Sequence, residues 1–128
     1  MANELVLIVE DNEQNRKLVC DLLQFKGYRT LEAKSGEDGV TLATEHKPDL
    51  ILMDYKLPGI DGIEAFRRIR HASGTSHIPI VAVTASAMQE EARKMKEAGF
   101  DGFLTKPINV KGFLQAVADL FSGKAARE

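Results

Sequence analysis

The sequence predicts an α/β fold, a doubly wound parallel sheet of five strands with helices on both faces. Strand-like runs fall at about 5–9, 28–33, 49–54, 78–84 and 101–105, with helical spacing after each, so strand and helix alternate five times. The first, third and fourth runs are apolar on consecutive residues, as expected of central strands buried on both faces. Helix start and stop residues punctuate the intervals between them.

Each element has its own justification. Leu5-Val6-Leu7-Ile8-Val9 leads directly into Glu10-Asp11. In the helix that follows, Cys20 sits beside Leu18, Val19, Leu22 and Leu23 and reads as a packed thiol. Gly27 supplies the left-handed residue on which that helix can stop. The second run, Tyr28 to Ala33, alternates in polarity and fits an edge strand, and Ser35 before Gly36-Glu37-Asp38 is a helix cap. Leu50-Ile51-Leu52-Met53 closes on Asp54, followed by Tyr-Lys-Leu-Pro-Gly-Ile-Asp-Gly. Asp61 with Glu64, and Ser86 with Gln89, read as capping boxes for the third and fourth helices. The fourth run, Ile80-Val81-Ala82-Val83, ends in Thr84; Gly99 stops the next helix; Phe103-Leu104-Thr105 ends in Lys106-Pro107. Val110, Phe113, Leu114, Val117, Leu120 and Phe121 then form one core-facing stripe, with a polar tail after Ser122-Gly123.

Length and composition narrow the function. A chain of 128 residues is expected to form one domain, 1–128, with an ordered core of about 4–121 and a polar tail over 122–128. With 44% hydrophobic and 28% charged residues it can bury a substantial core. The net charge of -2, with both signs interspersed, argues against a nucleic-acid partner. A lone cysteine excludes an internal disulfide, and no Cys/His cluster suggests zinc. Without a secretory signal or a long apolar run, no membrane association is expected, and the expected location is the cytoplasm.

The chemistry is at the strand ends. In an open parallel sheet, ligands bind beyond the carboxyl ends of the strands, and the acidic and polar residues are expected at those ends and not at the opposite ones. If the strands are neighbours, Glu10, Asp11 and Asp54 converge with the Thr84 hydroxyl and the Lys106 ammonium. Gathering three carboxylates is costly because like charges repel, and a central cation relieves that cost. Oxygen donors in a small open site favour Mg2+, which keeps several of its waters. Asp54 is then a candidate nucleophile toward phosphorus, with Lys106 neutralising charge and Thr84 hydrogen-bonding a phosphoryl oxygen.

Those residues carry a resemblance. Glu10-Asp11, Asp54 with Leu57-Pro58 and Asp61-Gly62, Thr84-Ala85 and Lys106-Pro107 occur in the order, and at the strand ends, of the receiver domain of bacterial two-component response regulators. The chain resembles that family over about 4–121. The resemblance implies a flavodoxin-like sheet in the order 2-1-3-4-5, with Asp54 as the phosphoacceptor. It further implies that Asp11, Asp54 and the backbone carbonyl of Lys56 hold Mg2+, with Glu10 acting through water. Lys106 would pair with the phosphoryl group across a cis bond to Pro107, and Thr84 and Phe103 would form the switch. The implied protein is a monomeric, non-enzymatic signalling switch that assists its own phosphorylation and dephosphorylation. Its donor would be a histidine kinase or a histidine phosphotransfer protein, and the phosphorylated form would bind a downstream protein differently. The alternative is a receiver belonging to a larger hybrid kinase or multidomain regulator.

Each of these features also has a blander reading. Glu10-Asp11 could be a solvated first-turn pair, Lys106 a surface lysine and Phe103 a core aromatic; it is their combination that favours a site. Asp54 could be a turn residue, but Pro58-Gly59 already supply the turn chemistry. A phosphohydrolase of the haloacid-dehalogenase type needs a second aspartate two residues after the nucleophile, and that position is Lys56. His46, His71 and His77 are scattered away from the acidic edge, so a phosphodonor histidine is expected on a partner.

Overall fold

The computed structural model describes residues 3–84, 90–105 and 109–122. Five strands and five helices alternate: β1 (Leu5–Val9), α1 (Glu13–Phe25), β2 (Arg29–Ala33), α2 (Gly36–His46), β3 (Leu50–Asp54), α3 (Gly62–His71), β4 (Ile80–Thr84), α4 (Glu90–Ala98), β5 (Gly102–Thr105) and α5 (Val110–Ser122). All strand pairings are parallel, in the order β2-β1-β3-β4-β5. The α/β class, the order 2-1-3-4-5 and the edge position of β2 agree with the sequence reading.

β1 begins where the sequence suggested, and the other four strands begin one or two residues later, for local reasons. The Tyr28 amide still bonds back to the Leu23 carbonyl at the end of α1, so β2 starts at Arg29. Pro79 has no amide to donate, and the Ile78 amide is spent on Thr75, so β4 starts at Ile80. Asp49 and Asp101 are not strand residues but work at the strand starts. The Asp49 carboxylate accepts from the Leu5 amide at 2.8 Å, and the Asp101 carboxylate accepts from the Ile80 amide at 2.8 Å. Asp101 also takes a 2.7 Å bond from Arg70 Nη2, while Arg70 Nη1 donates to both the Ser76 and the Ile78 carbonyls. This corrects the expectation that acidic residues avoid the amino edge: carboxylates there satisfy strand amides that have no ladder partner.

Alternation along the strands builds two cores. On one face Leu7, Val9, Ile51, Met53, Ile80 and Ala82 pack under α2, α3 and α4 through Ala43, Phe66, Ile69 and Met95. On the other, Val6, Ile8, Leu50, Leu52, Val81 and Val83 pack under α1 and α5 through Val19, Cys20, Leu23, Phe113 and Val117. Every residue of β3 is buried, so the strand that ends in Asp54 is enclosed along its whole length. Burying each large side chain there contributes about 1.5–3 kcal/mol.

Capping follows the sequence in part. Ser35 and Asp61 accept from the Asp38 and Glu64 amides at 3.1 and 2.9 Å. Glu64 does not play the reciprocal part of a capping box; its carboxylate turns to Arg68 at 3.0 Å and Arg67 at 3.4 Å, one turn along α3. Gly27 and Gly99 have the expected left-handed backbone, φ 93° and 109°. Val110, placed on the core stripe by spacing, is instead 48% exposed at the first residue of α5. The capping box at Ser86 and Gln89 and the tail after Ser122 lie outside the described residues.

Two consequences can be measured. A Cβ at Gly62 would meet the backbone carbonyl oxygen of Asp54 and lie 3.0 Å from the Cα of Tyr55, where no side chain can rotate away. Gly62→Ala should therefore destabilise the fold by about 2 kcal/mol in urea melts, as overpacking against a rigid element does. Separately, burial pushes the Cys20 thiol up to about 11, with the Glu32 carboxylate adding to the rise. The fold prefers the neutral thiol, so its contribution is complete below pH 9.0 and is lost as pH rises toward 11. The denaturant midpoint should fall more steeply over that window in the wild type than in Cys20→Ala, and parallel curves would contradict the assignment.

Candidate functional site

The site follows from the register of two central strands. β1 and β3 pair Val6 with Leu50 through Val9 with Met53, so the next residues, Glu10 just past β1 and Asp54 at the end of β3, lie side by side. Ligand oxygens of Glu10, Asp11 and Asp54 all lie within 4.8 Å of one another. Glu10 and Asp54 are buried, at 5% and 8% exposure, whereas Asp11 is open to solvent. Like charges at about 4 Å repel by about 4 kcal/mol at an effective dielectric near 20, so the arrangement invites a cation.

Backbone donors orient the carboxylates. The Tyr55 amide donates to Asp54 Oδ1 at 2.8 Å, and the Asn12 amide donates to Glu10 Oε2 at 3.1 Å. The Glu10 amide bonds to the Ala33 carbonyl at 3.0 Å, which ties the acidic turn to β2. On the far side of the site, the Gly62 amide donates to the Tyr55 carbonyl at 2.9 Å and anchors the segment after Asp54 to α3. The left-handed turn at Gly59, φ 77°, lets the chain fold back, and the Glu37 carboxylate receives the Ile60 amide at 3.1 Å.

The three oxygen donors fit Mg2+. Two are held in fixed orientations, and the third faces water on the open side, which leaves room for the hydration shell this ion retains. Lys56 is exposed in the loop two residues past Asp54. The fold thus brings together Glu10, Asp11 and Asp54, with Lys56 close in sequence. Thr84 ends β4, opposite Thr105 on β5, but its side chain is outside the described set, and so are Lys106 and Pro107 with their peptide bond. Phe103 lies on β5 opposite Ala82, partly buried against the core under α4. It borders a groove of about 420 Å³ between α4, β5 and α5, lined also by Lys96, Phe100, Ala116 and Leu120.

Sequence reasoning missed two residues beside the site. Asn12 is the N-cap of α1 and accepts from the Asn15 amide at 2.9 Å. Arg16 is buried, donating to the Glu10 carbonyl and to Glu32, each at 2.9 Å. A signal for it existed: Arg16, Val19, Cys20 and Leu23 occupy one helical face, so the arginine falls by period on a stripe that is otherwise apolar.

Known proteins resemble this chain in sequence and fold. The polar-differentiation response regulator DivK of Brucella ovis is 42% identical over 112 residues, covering 88% of this chain and 91% of that relative. The receiver domain of a sensor histidine kinase from Pseudomonas aeruginosa, which carries a magnesium ion in its active-site cleft, superposes with a TM-score of 0.86 at 34% identity. That match covers 94% of this chain and 98% of the other. The chemotaxis response regulator CheY4 of Vibrio cholerae also superposes with a TM-score of 0.86, at 28% identity over 92% of this chain and 98% of its own. Residues 6–118 match the response regulator receiver domain family, and with the geometry at Glu10, Asp11 and Asp54 this places the chain in that family.

Proposed function

We propose that the chain is a phosphoacceptor switch in which Asp54 takes a phosphoryl group from a histidine on a partner protein. The observation that carries this reading is the convergence of three carboxylates at the end of two enclosed strands. An oxygen of Asp54 forms the new O–P bond while the N–P bond of the donor phosphohistidine breaks, and the imidazole leaves with the bonding electrons. The Tyr55 amide holds the carboxylate in one orientation for that attack. When bound, Mg2+ would supply charge neutralisation for the phosphoryl oxygens, held by Asp11, Asp54 and the Lys56 carbonyl, with Glu10 acting through water. Lys106 takes the role of phosphoryl partner and Thr84 that of a hydroxyl donor to a phosphoryl oxygen.

The output reading uses the neighbouring strands. Phosphorylation draws Thr84 toward Asp54, and Phe103, on the adjacent strand, fills the space vacated. The change is read out at the groove bordered by Phe103, by a downstream protein that distinguishes the two states. The donor is a histidine kinase or a histidine phosphotransfer protein. The likeness to the DivK response regulator over 91% of that relative supports reading the chain as a regulator of that kind. Among the described residues no helix is long and apolar enough to cross a membrane. The likeness to a receiver domain of a sensor histidine kinase favours a second reading, a receiver within a larger kinase; the chemistry at Asp54 is the same in both.

Intact-mass spectrometry after incubation with acetyl phosphate and Mg2+ should show one phosphoryl group on the wild type and none on Asp54→Asn. Equal uptake by the mutant would remove Asp54 from the role. Asp11→Ala should weaken Mg2+ binding and slow phosphorylation, yet melt no lower than the wild type without metal, because it removes a like charge from the cluster. Unchanged Mg2+ affinity would take Asp11 out of the site.

A further inference from the structure

We propose that Arg16 is a positioning residue for the metal-binding turn, holding Glu10 and Asp11 in place through the backbone by bracing them against Glu32 on β2. The inference rests on the Mg2+-dependent reading of the acidic site. Its observation is a buried guanidinium with bonds on two separate edges. Nη1 donates to the Glu10 carbonyl at 2.9 Å and Nε donates to Glu32 Oε1 at 2.9 Å. The Arg16 side chain is 8% exposed and that of Glu32 50%.

Stability alone does not account for this residue. Arg16 lies on the same face of α1 as Val19, Cys20 and Leu23, where an apolar side chain of similar length would pack without desolvating a charge. Its ion-pair partner Glu32 is half exposed and screened by solvent, so the pair is weak evidence for a stabilising role. What an apolar residue cannot do is grip a carbonyl. The carbonyl of Glu10 belongs to the peptide that joins Glu10 to Asp11, so fixing it fixes the plane from which Asp11 departs.

The remaining contacts close the brace. The Arg16 amide bonds to the Asn12 carbonyl at 2.9 Å, the Asn12 amide donates to Glu10 Oε2 at 3.1 Å, and the Glu10 amide bonds to Ala33, next to Glu32, at 3.0 Å. The turn is thereby held by α1 on one side and by β2 on the other. Because the described hydrogen bonds of Arg16 end on a carbonyl and on Glu32, the arginine places a positive charge near the acidic cluster without occupying Asp11 or Asp54. A planar group with donors on separate edges suits this task, whereas the compact ammonium of a lysine does not span both acceptors. Residues that orient metal ligands in this way typically affect metal affinity by about 10–100-fold.

The test is Mg2+ titration of the metal-free protein, followed by amide chemical shifts, at a temperature where each variant is folded. Arg16→Met should bind Mg2+ about tenfold more weakly than the wild type, and Arg16→Lys should recover only part of the loss. Glu32→Gln, which keeps an acceptor but not the charge, should fall between wild type and Arg16→Met. Thr75→Val removes a buried hydroxyl bond to the Ile69 carbonyl far from the site and serves as a remote destabilised control that should keep wild-type affinity. Wild-type affinity in a folded Arg16→Met, or equal weakening in Thr75→Val, would overturn the proposal. If Arg16→Met does not fold, Glu32→Gln decides: weakened binding supports the brace and unchanged binding overturns it. A wild type that binds no Mg2+ at all would remove the metal reading itself, and this inference with it.

Discussion

The register between β1 and β3 is the constraint on which everything else depends. Pairing Val9 with Met53 makes Glu10 and Asp54 neighbours at the edge of the sheet. A slip of one residue would turn every side chain of β3 to the opposite face, exchanging the Ile51–Met53 core for the Leu50–Leu52 core. Both faces are buried, so the register is strongly specified, and the hydrophobic energy of two cores holds three like charges together. The site is expensive in charge repulsion, and the packing behind it bears that expense.

The two edges of the sheet handle carboxylates differently. At the amino edge, Asp49 and Asp101 each face the first amide of a neighbouring strand, and Arg70 completes the environment of Asp101. These carboxylates close hydrogen-bond ladders and stiffen the frame. At the carboxyl edge Glu10, Asp11 and Asp54 face one another across less than 4.8 Å. One residue type serves structure where donors surround it and chemistry where other carboxylates do.

The immediate surroundings of the acidic cluster are correspondingly ordered. Amides of Tyr55 and Asn12 point carboxylate oxygens, the bond from Gly62 to Tyr55 pins the segment leaving Asp54, and Arg16 grips the turn that carries Glu10 into Asp11. The opposite flank, β5 with Phe103, meets a groove and is only partly covered. A well-anchored acidic side and a less enclosed aromatic side are the two features on which the proposed switch reading draws.

Much of this was legible in the sequence because it depends on period and order. Consecutive apolar residues marked β1, β3 and β4 as central, alternation marked β2 as an edge, and Asp54 stood out as the carboxylate closing a fully apolar strand. The order of the strands was not legible from pattern and came from resemblance to a family, since parallel strands of similar composition can be threaded in several ways. Tertiary structure alone decided the contacts that cross the chain. The start of β4 waited on where Ile78 spent its amide, the exposure of Val110 on how the first turn of α5 packs, and the roles of Asp49 and Asp101 on which strand lay alongside. Arg16 is the clearest case. Its place on an apolar helical face is written in the spacing, but its partners, the Glu10 carbonyl and Glu32, are brought to it only when β1 and β2 pair beneath α1. Local pattern determines which residues face inward; only the packed chain determines what they meet there.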